Sequence, residues 1–516
     1  MALSLPNILT GDIELTEKGM ANLFVKHLSD EVMYIEGIGY HQWDGTRWAK
    51  TTNNWYEVVD KFAEKLLIDH KAIIEADGVN EWTEIAKKTI NKLRNRQGRD
   101  NVLGLIKSHP ALRKPIEEID SHPMLFNLSN GTYDFKTNTF SKHSQDDLLT
   151  KMSKFTYNPD AACPIFTQFM SDILPNEDNR KWLQKFLGLA MTGDQSYEKF
   201  AELYGPEAAN GKSTLIDTLT LLFGSGEYHH AANNKLFMGN GDDNDNAPSP
   251  SIAGLQGARF VTVPECPDRR RFNSTLLNSV VSGDRVRARF LRQNPINFQA
   301  QCKVCFYTNH LLEANSFDEA LYRRKGTIPF EVSFSTTTAD VQAGTHKQAV
   351  NKTELIASMV KENAGIFNWL VEGYNLVKQE GLQPTDNMQQ TIAEQKDAND
   401  YFQVFLDDTY PIADPSRSDV FIPFNELYST FRMWCGSTRY HLMSETMAGR
   451  TLKKKGFLKK TIKRGNKSIV CYYGISRTTR PHITFNEVIG SSPKNASENE
   501  SPFFIDMDND DPSTFS

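Results

Sequence analysis

The stretch Phe200 to Phe223, FAELYGPEAANGKSTLIDTLTLLF, decides how the rest of the chain is read. Its apolar start, ending at Tyr204, predicts a strand; a loop of small residues follows; then Lys212, Ser213 and Thr214 open a helix with Leu215, Ile216, Leu219, Leu222 and Phe223 on its apolar face. Phosphate binding requires this order: N–H groups of the loop and helix N-terminus surround the anion, Lys212 neutralises β- and γ-phosphate charge, and Ser213 ligates Mg²⁺. The cradle is expected to run through Gly205, Pro206, Glu207, Ala208, Ala209, Asn210, Gly211, Lys212, Ser213 and Thr214, with ATP and Mg²⁺ as the ligands. One departure stands out. Counting back from Gly211, the strict pattern wants glycine at Pro206, but the glycine is Gly205, so the loop is one residue long. Ala208 and Ala209 also occupy places where glycine accepts positive φ more easily, which leaves the loop's shape open. An ordinary helix start does not explain Asn-Gly-Lys-Ser-Thr placed after a strand.

Hydrolysis needs a carboxylate opposite the metal. The run ARFVTVPEC offers Phe260, Val261 and Val263 as a neighbouring strand with Glu265 at its carboxyl end, placed to polarise the attacking water or to hold the metal's water shell. The next strand, CKVCFYTN, delivers Asn309 to the same edge, where its amide can contact γ-phosphate and water. Arg323 and Arg324 precede GTIPF, and an arginine so placed can reach a neighbouring subunit's nucleotide and stabilise transition-state charge.

The order GPEAANGKST, LQGARFVTVPE, SGDRVRARF, FYTNHLLE and DEALYRRKGTIPF resembles the superfamily 3 helicase module of phage and plasmid primase-helicases, a group that includes the poxvirus primase-helicase. TEKGMANLFVKH, WDGTRW, NGTYDF and the helices before Gly193 resemble the domain that precedes the helicase in that group, so the likeness covers most of residues 15 to 475. It implies an α/β P-loop NTPase core, AAA+-like, that forms a ring, usually a hexamer, and translocates along single-stranded DNA. By position it implies Lys212 and Ser213 as the Walker A pair, Glu265 as the Walker B acid and metal-shell residue, and Asn309 as the sensor. It also implies Arg324 as the first choice for the finger, with Arg323 second. Arg287, Arg289 and Arg292 lie in or beside the segment that forms a DNA-contacting hairpin in such modules; the competing reading is a solvated face.

The 516 residues suggest about three domains at roughly 100 to 200 residues each. With 39% apolar and 24% charged residues, wholesale disorder is ruled out. We expect an α+β accessory domain over 1–150 with hairpins at YHQWDGTRW and NLSNGTYDFKTNTF, and a helical collar over 151–195. The ATPase domain is expected over 196–385, a winged helix over 399–480 and an acidic, unstructured tail over 481–516. In the winged-helix region Phe424, Leu427, Tyr428 and Phe431 share a helical face, Ser444 is an N-cap for a helix ending at Gly456, and two strands are joined across Gly465 and Asn466.

The net charge of −6 hides a division: Phe431 to Arg480 carries thirteen Lys and Arg against Glu445 alone, a local +12, and the tail from Pro481 carries −6. The basic block, with Lys453, Lys454, Lys459, Lys463 and Lys467 at its centre, is expected to seek duplex DNA. No run approaches the roughly 18 apolar residues of a membrane span, and MALSLPNILTGDIELTEKG lacks a basic segment leading into an apolar one, so a cytoplasmic location without membrane contact is expected, in the host's cytoplasm if a phage encodes the chain. Six scattered cysteines suggest buried thiols, and Cys302 with Cys305 is a lone CxxC whose side chains should face opposite ways on a strand. GDDNDNAP lacks the glycine and glutamate of a calcium loop, and His229 and His230 read as a loop without zinc spacing. No carboxylate cluster of a polymerase-type primase is evident before residue 150, so the expected activity is helicase without its own primase. The alternatives are an origin-binding initiator ATPase with little unwinding, a primase-helicase with cryptic primase activity, and a DNA-packaging ATPase. A separate primase, polymerase or single-strand-binding protein is an expected partner.

Overall fold

The computed structural model describes residues 13–50, 55–237, 249–264, 274–289, 295–311, 318–398, 400–438, 440, 442–465 and 467–477. It divides into two compact units, Met1–Asn399 and Asp400–Ser516. Glu265, Arg292, the GDDNDNAP run and the tail after Arg477 lie outside the described residues.

The first unit begins with α1 (Glu17–Leu28), whose N-terminus is capped by the Thr16 hydroxyl accepting from Gly19 N–H. β1 (Val32–Ile35), β2 (Gly39–Trp43) and β3 (Trp48–Lys50) follow as an antiparallel meander, and Asp44 makes the second turn by accepting from the N–H groups of Thr46 and Arg47. α2 (Trp55–Asp77), α3 (Glu81–Leu93) and α4 (Arg96–Lys107) pack with α1 around Phe24, Phe62, Leu66, Ile90 and Val102. β4 (Arg113–Lys114) then pairs parallel to β1.

β5 (Leu125–Leu128), β6 (Gly131–Asp134) and β7 (Thr139–Ser141) form the second predicted hairpin, yet its buried residues belong elsewhere. Phe126, Leu128, Tyr133 and Phe135 join the core built by later helices, and Met33, Ile35 and Trp48 pack with the opposite face of the central sheet. The first 150 residues are therefore divided between a core of their own around α1–α4 and the cores on the two faces of the central sheet. α5 (Pro164–Ile173) and α6 (Glu177–Leu189) likewise share a core with that sheet through Phe166, Phe169, Trp182 and Phe186, so the expected collar is continuous with it.

The central sheet is assembled from β8 (Phe200–Tyr204), β9 (His229–Ala231), β10 (Phe260–Val263), β13 (Lys303–Thr308) and β14 (Lys325–Pro329), in the order β14-β8-β13-β10-β9, every pair parallel. Inner strands covered on both faces explain why β8, β10 and β13 read as nearly unbroken apolar runs. β9 corrects the loop expected at His229 and His230: His229 is buried, exchanges a 2.8 Å hydrogen bond with Thr262 Oγ1, and is pushed down to about 4 by burial and by His230 beside it. Cys302 and Cys305 are both buried, one in each of the two cores on either side of the sheet.

α7 (Lys212–Phe223) connects β8 to β9, α8 (Pro250–Ala253) precedes β10, and α9 (Ser274–Val281) leads into an antiparallel ribbon of β11 (Arg285–Arg289) and β12 (Pro295–Gln299). α10 (Glu319–Arg324) precedes β14. The chain then passes through β15 (Phe334–Ser335), α11 (Thr338–Gln342) and β16 (Lys347–Gln348) to α12 (Lys352–Lys361) and α13 (Asn363–Glu380), which packs on α6. Residues 386–398, which lie between the expected ATPase and winged-helix domains, form α14 (Asp386–Ala398) against β14. Its docking is anchored by Met388, fully buried, and by Gln395, which accepts from Lys325 Nζ at 2.6 Å. Lys325 in turn pairs with Glu202 at 2.8 Å, both side chains fully buried.

The second unit contains α15 (Tyr401–Thr409), β17 (Ile412–Ala413), β18 (Phe421–Pro423), α16 (Phe424–Thr438), α17 (Glu445–Lys454), β19 (Lys459–Arg464), β20 (Lys467–Tyr473) and β21 (Ile475–Ser476). Leu427 and Phe431 bury the predicted helical face with Phe405, Leu452 and Tyr472. The Ser444 hydroxyl caps α17, and Gly456, at φ +87°, ends it. β19 and β20 pair across Arg464 and Lys467, and β18 lies on the other side of β20. Among the described residues no helix is long and apolar enough to cross a membrane.

Candidate functional site

β8, β13 and β10 all end on one edge of the sheet, and the loop 205–211 rises from β8, which lies between β14 and β13. Ala209 takes φ +59° and Gly211 φ +82°, so one alanine adopts the left-handed conformation and the extra residue is accommodated. Glycine is needed at both ends of the loop. A Cβ on Gly205 would lie 2.5 Å from Lys212 Nζ, and one on Gly211 would lie 2.4 Å from Ile173 Cγ2.

Lys212 is 6% exposed, and its ammonium donates to three oxygens: Gly205 O at 3.2 Å, Asn210 Oδ1 at 3.0 Å and Asn309 Oδ1 at 3.0 Å. Asn309 follows β13 directly, and because β13 is inserted between β8 and β10, Asn309 is the nearer partner of the loop. The strand that leads to Glu265 is one position further out, and its Pro264 reaches the site. Asn210 links the lysine to the chain after β14, donating to Val332 O at 3.0 Å and Ser333 Oγ at 3.2 Å, and Ser333 donates to Glu207 Oε2 at 2.7 Å. Ser333 was not visible as a site residue, because its contribution depends on where the chain goes after β14. Ser213 is exposed at the first turn of α7, with its hydroxyl unbonded to any described residue.

A cavity of about 1040 Å³ opens on this cluster, large enough for a nucleoside triphosphate. Residues 208–214 form one end, and Ile165, Phe169, Phe334, Val350 and Leu355 supply an apolar wall. α5, which carries part of that wall, has no side-chain cap of its own; the Glu362 carboxylate accepts from Ile165 and Phe166 N–H at 3.1 and 3.0 Å. Polar and charged chemistry at one end with apolar chemistry at the other suits an anionic group attached to a flat apolar body.

The two arginines at the end of α10 are held differently within the chain. Arg324, the first choice, is 13% exposed and committed within its own chain, to Glu198 Oε2 at 2.6 Å, Ser282 Oγ at 3.1 Å and Ala320 O at 3.1 Å. Arg323 is 70% exposed and touches Glu198 only at 3.3 Å. Away from the loop, the β11–β12 ribbon turns Arg287 to solvent and Val286 and Ala288 to the core; Arg289 is half-buried. In the second unit Lys453, Lys454, Lys459, Lys463 and Lys467 are all exposed at the end of α17 and on the β19–β20 hairpin. Lys455 is instead paired with Asp400 and Gln403, and Lys460 lies over the Tyr473 ring.

Fold and site together define a mixed α/β protein with a parallel sheet and a lysine-centred loop on its carboxyl edge. Residues 21–175 match the family model "D5 N terminal like" and residues 203–324 match "Family of unknown function (DUF5906)". "Putative helicase L207/L206" of Acanthamoeba polyphaga mimivirus is 24% identical over 329 residues, 62% of this chain and 34% of that protein. "Putative helicase 121R" of Invertebrate iridescent virus 3 is 24% identical over 419 residues, 77% of this chain and 43% of that protein. The chain thus spans between a third and a half of the length of these relatives. The A form apo structure of the NrS-1 C terminal region aligns over 86% of this chain and 95% of its own at 11% identity, with a TM-score of 0.44. Over these stretches the chain is similar to phage and viral primase-helicases.

Proposed function

We propose that the chain is an ATP-dependent DNA helicase of phage or plasmid-type replication, with an AAA+-like superfamily 3 P-loop core that assembles as a ring, usually a hexamer, and translocates on single-stranded DNA. The observation that carries this reading is the Lys212 cluster: a nearly buried ammonium ringed by Gly205, Asn210 and Asn309 oxygens at the N-terminus of α7, beside a cavity of about 1040 Å³. A nearly buried ammonium gathered with the Gly205, Asn210 and Asn309 oxygens at a helix N-terminus is placed to bind a phosphate anion. Residues 205–214 cradle the triphosphate, and the apolar wall receives the base.

The residues present fit a magnesium ion. The Ser213 hydroxyl opens on the cavity without a described partner, and Glu265 follows β10 by two residues. When bound, the ion supplies charge neutralisation for the β- and γ-phosphates. Lys212 binds and orients the phosphates, Glu265 draws a proton from the attacking water, and Asn309 positions that water or the γ-phosphate. Arg323 is the better placed of the two arginines to complete a neighbouring subunit's site, because Arg324 is already engaged. Arg287, Arg289 and Arg292 contact the translocated strand, and the second unit works as a winged helix on duplex DNA through Lys453, Lys454, Lys459, Lys463 and Lys467. A separate primase, polymerase or single-strand-binding protein acts beside it.

Strand displacement from a forked duplex separates this reading from an initiator that binds ATP but unwinds little. ATP-dependent displacement abolished by Lys212→Ala supports the helicase; ATP hydrolysis without displacement supports the initiator.

A further inference from the structure

At the root of the β11–β12 ribbon lies a second, smaller cavity of about 110 Å³. One side is the ribbon itself, with Arg285, Asn297 and Gln299 on its walls; the other is built from the N-terminal region and the turn before β10, with Glu117 and Gln256. Cross-strand pairing explains the cluster. Arg285 faces Gln299 and Arg287 faces Asn297, and the alternation that buries Val286, Ala288, Ile296 and Phe298 puts two guanidinium and two carboxamide groups on one solvent face. Towards its far end the ribbon's inner face meets the loop after β1 so closely that a Cβ on Gly37 would lie 2.8 Å from Ile296 Cγ2.

The side chains of Arg285, Arg287, Asn297, Gln299, Gln256 and Glu117 make no hydrogen bond or ion pair among the described residues. Gln301 Oε1 accepts from Arg259 Nη1 at 2.7 Å, and its amide N–H groups are unbonded among those residues. Asp120, also on the wall, is occupied by Thr150 N–H at 2.8 Å. A compact recess so furnished offers donors and acceptors in mixed order above an apolar floor of Ile119 and Phe298. A phosphate alone would meet the Glu117 carboxylate. An uncharged planar group with both donors and acceptors on its edge would not.

We propose that this recess takes one nucleobase of a single strand lying along the ribbon, with Arg285 and Arg287 on the flanking phosphates and the amides of Asn297, Gln299 and Gln256 on the base edge. The inference rests on the single-strand reading of the ribbon given above and adds to it a site that neither the arginines nor the nucleotide loop supplies. Its volume suits one base and is too small for a nucleoside triphosphate. Each step along the strand would then present a new base to a fixed recess, so the ribbon would hold DNA by base as well as by backbone.

The test compares two fluorescent 20-mers of equal charge, one with ordinary bases and one abasic throughout, binding to the full chain. The double variant Asn297→Ala/Gln299→Ala and the single variant Gln256→Ala, on opposite walls, should each weaken binding of the base-bearing strand, by about tenfold for the double, and leave the abasic strand unchanged. A 4-thiothymidine strand should photo-crosslink to peptides covering 117–121, 256–257 or 297–301. Equal losses on both strands, no loss on either, or crosslinks confined to other regions overturn the proposal. If Arg285→Ala/Arg287→Ala weakens both strands while the amide variants weaken neither, the ribbon binds DNA by phosphate and only the base recess falls. If the chain binds neither strand, the single-strand reading itself falls and the recess with it.

Discussion

Arg323 and Arg324 are neighbours in sequence, and replacing each by alanine should produce opposite phenotypes. Arg324 is 13% exposed and holds Glu198 at 2.6 Å, Ser282 at 3.1 Å and Ala320 O at 3.1 Å. Charge-assisted hydrogen bonds of this kind are worth about 1.5 to 3 kcal/mol, and Arg324→Ala still leaves Glu198 beside Arg323, so a loss of about 2 kcal/mol is expected. Because Ser282 lies just before β11, the same change should also loosen the root of the ribbon. Arg323 is 70% exposed with one contact at 3.3 Å, and exposed pairs are worth about 0 to 1 kcal/mol, so Arg323→Ala should melt close to wild type. If Arg323 reaches a neighbour's nucleotide, its loss should lower turnover roughly a thousandfold. Urea unfolding and ATPase rates of each variant read the two effects separately. Mixing Arg323→Ala with Lys212→Ala subunits should restore part of the activity, since some interfaces then combine an intact loop with an intact arginine. An Arg324→Ala protein with wild-type stability and no turnover, beside a fully active Arg323→Ala protein, would refute the reasoning.

Three further outcomes follow from named contacts. Asn210→Ala removes one acceptor from Lys212 and strands Val332 O and Ser333, so ATP affinity should drop about tenfold in a fluorescent-nucleotide titration while Ser333→Ala costs less. Burial holds the Lys303 ammonium down to about 8, with Asp194 opposing the shift, against an unfolded value near about 10.4. Between those values the unfolded chain binds more protons, so stability should rise with pH from 8 towards 10, and thermal melts of Lys303→Met should lack that rise. For the second unit, neutralisation of about five phosphates by Lys453, Lys454, Lys459, Lys463 and Lys467 predicts a log-log salt slope of about −4 to −5 for duplex binding, and charge reversal at Lys459 and Lys463 should flatten it by about two.

Much of the fold was legible because local signals and tertiary packing agree. The strand, loop and helix around Lys212, the Asp44 turn, the Ser444 cap and the Gly456 stop all follow from residues whose preferences are local. What escaped depended on packing at a distance. His229 and His230 carry no strand signal in three residues, and only the neighbouring β10, with Thr262 as a hydrogen-bond partner, makes them an edge strand. α14 was hidden because its docking uses polar Gln395 on buried Lys325 as well as Met388. Which arginine is held within the chain was unreadable, since a sequence does not tell which of two adjacent side chains finds Glu198 and Ser282. Ser333 is the same case within the site: only the return of the chain after β14 brings it to Asn210.

The central claim is that the Lys212 loop converts ATP into DNA unwinding. The most direct measurement is single-cycle strand displacement from a forked duplex by the full chain with ATP and Mg²⁺, run beside Lys212→Ala and Glu265→Gln. The account predicts displacement by the wild type, none by Lys212→Ala with weakened ATP binding, and none by Glu265→Gln with ATP binding retained. ATP-dependent displacement by Lys212→Ala at the wild-type rate would contradict it.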